Sequence, residues 1–159
     1  MKQPETAAEC TSRPTLAPFP PRQLDPVAIE QYRETYRELI GFLPPRIEAR
    51  TDLLARVDPA LLEMQESIRS HAMNPACFDT RTVQLMLFGM LLMTLSDAAR
   101  LHGIAAYRAG ATFEELSGVV GLAFLFRGLP AANLGAQVIQ EIAEKHAPNP
   151  PAKEKANQP

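Results

Sequence analysis

Apolar residues recur every three to four positions along most of this chain, and no segment alternates strictly between apolar and polar, so the pattern predicts helices and no strands. Val27 to Ile40 carries the first such stripe. Asp25-Pro26 opens it, an acceptor for the free N–H groups of the first turn followed by a residue whose fixed φ suits that turn, and Gly41 ends it. Pro44-Pro45 then separates a second helix over about Arg46–Arg56, and Asp58-Pro59 opens a third running to about Ser70. The charged residues of these three helices are expected on solvated faces.

Thr80 is the expected cap of a fourth helix. Its stretch Val83–Leu95 is apolar all round apart from Gln84 and Thr94, which predicts burial on more than one side, with a neighbouring subunit completing the cover. Ser96 or Asp97 is expected to cap a fifth helix that carries His102 and ends near Ala109, where Gly110 supplies the stop. Thr112 followed three residues on by Glu115 is a capping box, so a sixth helix begins there by local chemistry alone. Gly128 marks a further break, and Pro130 suits the first turn of a last helix. The fold class is therefore all-α: one helical bundle.

A length of 159 residues with a hydrophobic share of 46% is enough for a single core, placed here over residues 27–145. Ten of the 15 prolines fall in residues 1–26 and 146–159, which are poor in periodic hydrophobicity, so a Pro-rich N-terminal arm and a flexible C-terminal tail are expected. Pro18-Phe19-Pro20-Pro21 reads as a polyproline ligand, as an arm along a neighbouring subunit, or as plain extended chain. The formal charge of −2 gives no long-range attraction to nucleic acid or an anionic membrane, and the longest apolar stretch is too short to span a bilayer. Two cysteines make no disulfide framework and the N-terminal residues lack the apolar core of a signal peptide, which points to the cytoplasm.

Candidate chemistry gathers around His102, whose neighbours at three and four positions are Ala98, Ala99, Ala105 and Ala106. Small side chains beside an imidazole leave room for a ligand or for a closely packed helix, so a proton-transfer role and a structural role both stand. Glu115 can orient or tune the imidazole, although the capping box already accounts for it. His71 stands near a helix end, as a second pocket histidine or as a partner of the helix dipole. Arg81, Arg100, Arg108 and Arg127 lie in the same half of the chain; Arg127 is the first choice, and Arg81 the second, to clamp an anionic substrate group. The histidines at 71, 102 and 146 share no metal-ligand spacing, and neither a phosphate-cradling glycine loop nor a nucleophilic-serine elbow is present, so neither a metal nor another cofactor is expected.

The order His102, then Gly110-Ala111-Thr112-x-Glu114-Glu115, then an apolar helix ending in Gly128-Leu129-Pro130-Ala131-Ala132-Asn133, resembles the carboxymuconolactone decarboxylase and alkylhydroperoxidase D-like superfamily. Asp79 to Leu85 resembles its helix-opening segment, where a glutamate is common at the position of Gln84. The resemblance spans residues 28–145. It implies an orthogonal bundle of six or seven helices, assembly into trimers or hexamers, and His102 as proton carrier with Gln84 among the substrate-binding residues. Redox members carry two cysteines where Leu95 and Ala98 stand, so the resemblance favours the non-redox branch, acting without a cofactor on a small carboxylated lactone or oxo-acid. A thiol-dependent peroxidase and a non-catalytic helical binding or scaffold subunit are the alternatives.

Overall fold

The computed structural model describes residues 24–146. The arm up to residue 23, with Cys10 and the Pro18–Pro21 run, and the tail from residue 147 lie outside the described residues. The described residues form seven helices and no strand: α1 (Pro26–Ile40), α2 (Pro45–Val57), α3 (Pro59–Ala72), α4 (Thr80–Met93), α5 (Ala99–Arg108), α6 (Phe113–Arg127) and α7 (Leu129–His146). This is the all-α bundle that the periodicity predicts.

Most boundaries have a local cause visible in the side chains. Asp25 Oδ1 accepts from the Val27 N–H at 2.9 Å and Asp58 Oδ1 from the Leu61 N–H at 3.0 Å, each followed by a proline in the first helical position. Thr112 Oγ1 accepts from the Glu115 N–H at 3.2 Å while Glu115 Oε2 accepts from the Thr112 N–H at 2.8 Å, closing the capping box. Gly41, Gly110 and Gly128 sit in breaks at φ of 95°, 93° and 74°, where a side chain would be strained.

Three details differ from the sequence expectation. The cap of α4 is Asp79, whose Oδ1 accepts from the Thr82 N–H at 2.7 Å, and Thr80 is the first helical residue; a carboxylate one position earlier outcompetes the hydroxyl. The N-cap of α5 is Ala98, without a side-chain cap, while Ser96 Oγ accepts from the Ala98 N–H just ahead of it. The apolar stretch does not stay helical to Leu95: α4 stops at Met93 and Leu95 turns the chain at a φ of 53°, a left-handed conformation uncommon for leucine.

The core joins α4, α5, α6 and α7 with the end of α1, around Phe88, Leu92, Leu116, Val138 and Ile142. Glycines set the closest approaches. A Cβ on Gly103 of α5 would lie 2.9 Å from Val138 Cγ1 of α7. One on Gly135 of α7 would collide with Val120 Cγ2 of α6 and lie 3.0 Å from its Cγ1. Gly135→Ala is expected to cost a net ~1–2 kcal/mol, because overpacking outweighs alanine's better helix propensity. Within one subunit, Gly118→Ala on α6 meets open space and is expected to gain up to about 1 kcal/mol. Urea unfolding of the pair separates the two effects.

The α2–α3 hairpin packs on α1 through polar side chains. Glu66 of α3 is only 2% exposed, against the expectation that the charges of α1–α3 are solvated. Its carboxylate pairs with Arg50 of α2, accepts from Arg69 Nε at 2.8 Å and accepts from the Tyr36 hydroxyl of α1 at 3.0 Å. Arg69 also lies over the Tyr36 ring, 4.1 Å from its centroid. Three helices thus converge on one buried negative charge.

Candidate functional site

Helices α4 and α5 pack along their length and bring together two polar residues that are 18 positions apart in sequence. Gln84, 1% exposed, places Oε1 2.8 Å from His102 Nδ1. An amide oxygen only accepts, so Nδ1 carries the ring proton and Nε2 presents a lone pair. Burial pushes the His102 imidazole below its ordinary value of 6.5, which keeps the ring neutral at pH 7. The same shift makes stability pH-dependent. Below pH 6.5 the unfolded chain takes up a proton that the folded imidazole refuses, so stability falls as the pH drops from 6.5 towards the depressed value.

The small residues around His102 serve helix packing. Ala99, Ala105 and Ala106 are all buried, and Gly103 lets Val138 of α7 approach the α5 backbone. A cleft of about 640 Å³ opens one turn away, where Leu39 of α1, Thr80 and Arg81 of α4, and Ala105 and Arg108 of α5 meet. Ala105 follows His102 by three residues and Arg81 precedes Gln84 by three, so cleft and hydrogen-bonded pair share the α4–α5 seam. His102 and Gln84 do not themselves border the cleft.

The other candidate residues are more dispersed. Arg81 borders the cleft and pairs with Glu115 Oε1 at 3.2 Å, both side chains partly exposed. Glu115 divides its oxygens between that arginine and its capping box, and the imidazole takes its hydrogen bond from Gln84 instead. Arg127 is exposed in the last turn of α6, outside the cleft. His71 is exposed in the last turn of α3, a helix whose main packing partner is α2. Arg108, which nothing in the sequence sets apart from Arg81, Arg100 and Arg127, lies at the cleft edge, where its Nη2 donates to the Glu38 carbonyl at 3.3 Å.

Leu95 occupies the α4–α5 turn and Ala98 the N-cap of α5, neither carrying sulfur, while Cys77 is exposed in the turn between α3 and α4. Among the described residues no group of three or more His, Cys, Asp or Glu side chains is placed to hold a metal ion, and no helix is long and apolar enough to cross a membrane. The fold and the pair define a class no finer than an all-α bundle with a half-buried neutral histidine hydrogen-bonded to a buried glutamine. No protein-family model, no curated protein and no solved structure matches this chain.

Gln84→Glu tests the electrostatics of the pair. A carboxylate at hydrogen-bond distance from Nδ1 favours the charged ring, so the His102 pKa is expected to rise above that of the parent protein. Titration of the ring by NMR reads the shift directly.

Proposed function

We propose that this chain is a cofactor-independent proton-transfer enzyme, decarboxylase-like in the sense of the superfamily its motifs resemble, acting on a small carboxylated lactone or oxo-acid. The observation that carries the reading is the His102–Gln84 hydrogen bond, which fixes one tautomer of a neutral imidazole. A neutral ring with a free lone pair first accepts a proton and then returns it. In an isomerisation, Nε2 takes a proton from carbon next to a carbonyl, the electron pair moves into an enolate, and the imidazolium gives the proton back at another carbon. In a decarboxylation, the carbon–carbon bond breaks, carbon dioxide leaves, and the electron pair stays as a dienolate. The dienolate then takes a proton from imidazolium, which solvent recharges. The amide of Gln84 cannot relay a proton, so exchange passes through Nε2 alone.

We further propose a cytoplasmic homo-oligomer, a trimer or hexamer, as the resemblance implies. A non-catalytic helical binding or scaffold subunit is the second reading. It is favoured by one observation: neither His102 nor Gln84 borders the cleft. Thiol-dependent peroxide reduction finds no sulfur at Leu95 or Ala98 to support it.

Incubation with small lactone acids and oxo-acids in deuterated water, followed by NMR, tests the reading. Deuterium incorporation at carbon, or release of carbon dioxide, is the expected result. Its pH profile separates the two chemistries: a rate that falls as the pH drops through the depressed His102 value marks proton abstraction, and one that falls as the pH rises marks donation. Ligand binding with no exchange and no turnover across the series would support the scaffold reading instead.

A further inference from the structure

Among the described residues, α6 leaves a broad apolar surface without a partner. From Leu116 to Phe126 this helix carries no charge, yet it buries only Leu116 and Ala123 fully. Leu122, Leu125 and Phe126 are 63%, 70% and 81% exposed, and Phe124 and Leu129 flank them, also exposed. At roughly 200 Å² for each large apolar side chain, these five leave on the order of 650 Å² in water. That matches or exceeds the largest apolar patch of a typical monomer, about 300–600 Å². Exposed Met86 and Met90 of α4 extend it, since Gly89 packs against Val119 and helix periodicity puts both methionines on the flank of α4 nearest α6. The total reaches the scale of about 800 Å² that each partner contributes to a stable complex.

The face is also complementary to itself. Its N-terminal half presents Gly118 and Gly121, with open space where their side chains would be, and its C-terminal half presents Leu122 and Leu125 as a ridge. Two copies of α6 running antiparallel across a two-fold axis between residues 121 and 122 set Leu125 opposite Gly118 and Leu122 opposite Gly121, so each ridge fills the other's gap. A membrane surface fits less well, because Glu114 and Glu115 stand at one end of the face and a single Arg127 at the other.

We infer that α6 pairs with α6 of a second copy of this chain in an isologous dimer. The inference rests on the proposed self-association and sharpens it: the pair supplies the two-fold of a hexamer and is incompatible with an isolated trimer. It does not depend on the chemistry at His102.

Light scattering of the full chain at micromolar concentration, with Leu125→Glu and Gly121→Leu, tests it. Both substituted positions are open to solvent, so circular dichroism should match the parent protein. The expected result is an even-numbered oligomer whose subunit dissociation constant rises at least about tenfold in each variant, since central apolar positions dominate such interfaces. Leu122→Cys, with Cys10 and Cys77 replaced by serine, is expected to cross-link pairwise on mild oxidation. A monomer at all concentrations overturns both the assembly and this interface. An oligomer unmoved by either substitution, or a trimer without the cross-link, overturns the α6 pairing alone.

Discussion

Turnover of a lactone acid or oxo-acid substrate is expected to fall by about 10²–10⁴ when His102 is replaced by glutamine, the loss typical of removing one positioned proton-transfer group. The substitution is chosen to spare the fold. A glutamine N–H can donate to Gln84 Oε1 as the imidazole Nδ1–H does, so the buried amide keeps its partner, while no group remains that titrates near neutral pH. Steady-state rates beside a urea melt make the measurement. Full activity in a well-folded variant would remove His102 from the chemistry, and collapse of the fold would assign it a structural role.

The largest expected loss of stability belongs to Glu66→Ala, at about 3–5 kcal/mol, the cost of removing one partner from a buried ion-pair network. Arg50, Arg69 and the Tyr36 hydroxyl would all lose their common acceptor. Burial by itself would raise the Glu66 pKa, but the hydrogen bonds from Arg50, Arg69 and Tyr36 and the nearby Arg69 charge outweigh it and hold the carboxyl below its ordinary 4.5. The sign of the pH effect follows from that direction. The stabilisation is fully present above pH 4.5, where the unfolded chain is also ionised, and is lost as the pH falls through the depressed value. Urea unfolding at pH 7 and under acid conditions should therefore show the variant's deficit shrinking in acid.

Much of the fold is legible in the sequence because its boundaries are made by neighbours. Asp25-Pro26, Asp58-Pro59 and the Thr112–Glu115 box act within one helical turn, and no distant residue is needed to recognise them. The confusion of Thr80 with Asp79 has the same origin, since two adjacent acceptors can each cap a helix. The site is less legible because its contacts are remote along the chain. Gln84 and His102 are each visible, but their hydrogen bond depends on the register of two packed helices. Glu66 meets residues 16 and 30 positions away and reads locally as one more solvated charge. Apolarity also says nothing of which side of a helix has a neighbour. Both α4 and α6 are apolar, yet α4 buries Val83, Gln84, Phe88 and Leu92 while α6 leaves most of its outer face uncovered.

The attachment of the α2–α3 hairpin has a consequence for cooperativity. The hairpin packs on the rest of the molecule mainly through α1, with Ile47 reaching the core and an exposed pair between Arg46 and Asp97, and α3 is tied to α1 by the long side chains of Tyr36 and Arg69 around one carboxylate. Such a segment can open as a unit while the core of α4 to α7 stays closed. Native-state hydrogen exchange is expected to show the amides of α2 and α3 exchanging together, at a lower opening free energy than those of α5 and α7. Acid should lower both values by separate routes, the hairpin's through protonation of Glu66 and that of α5 through the imidazole of His102, so each segment carries its own pH sensor.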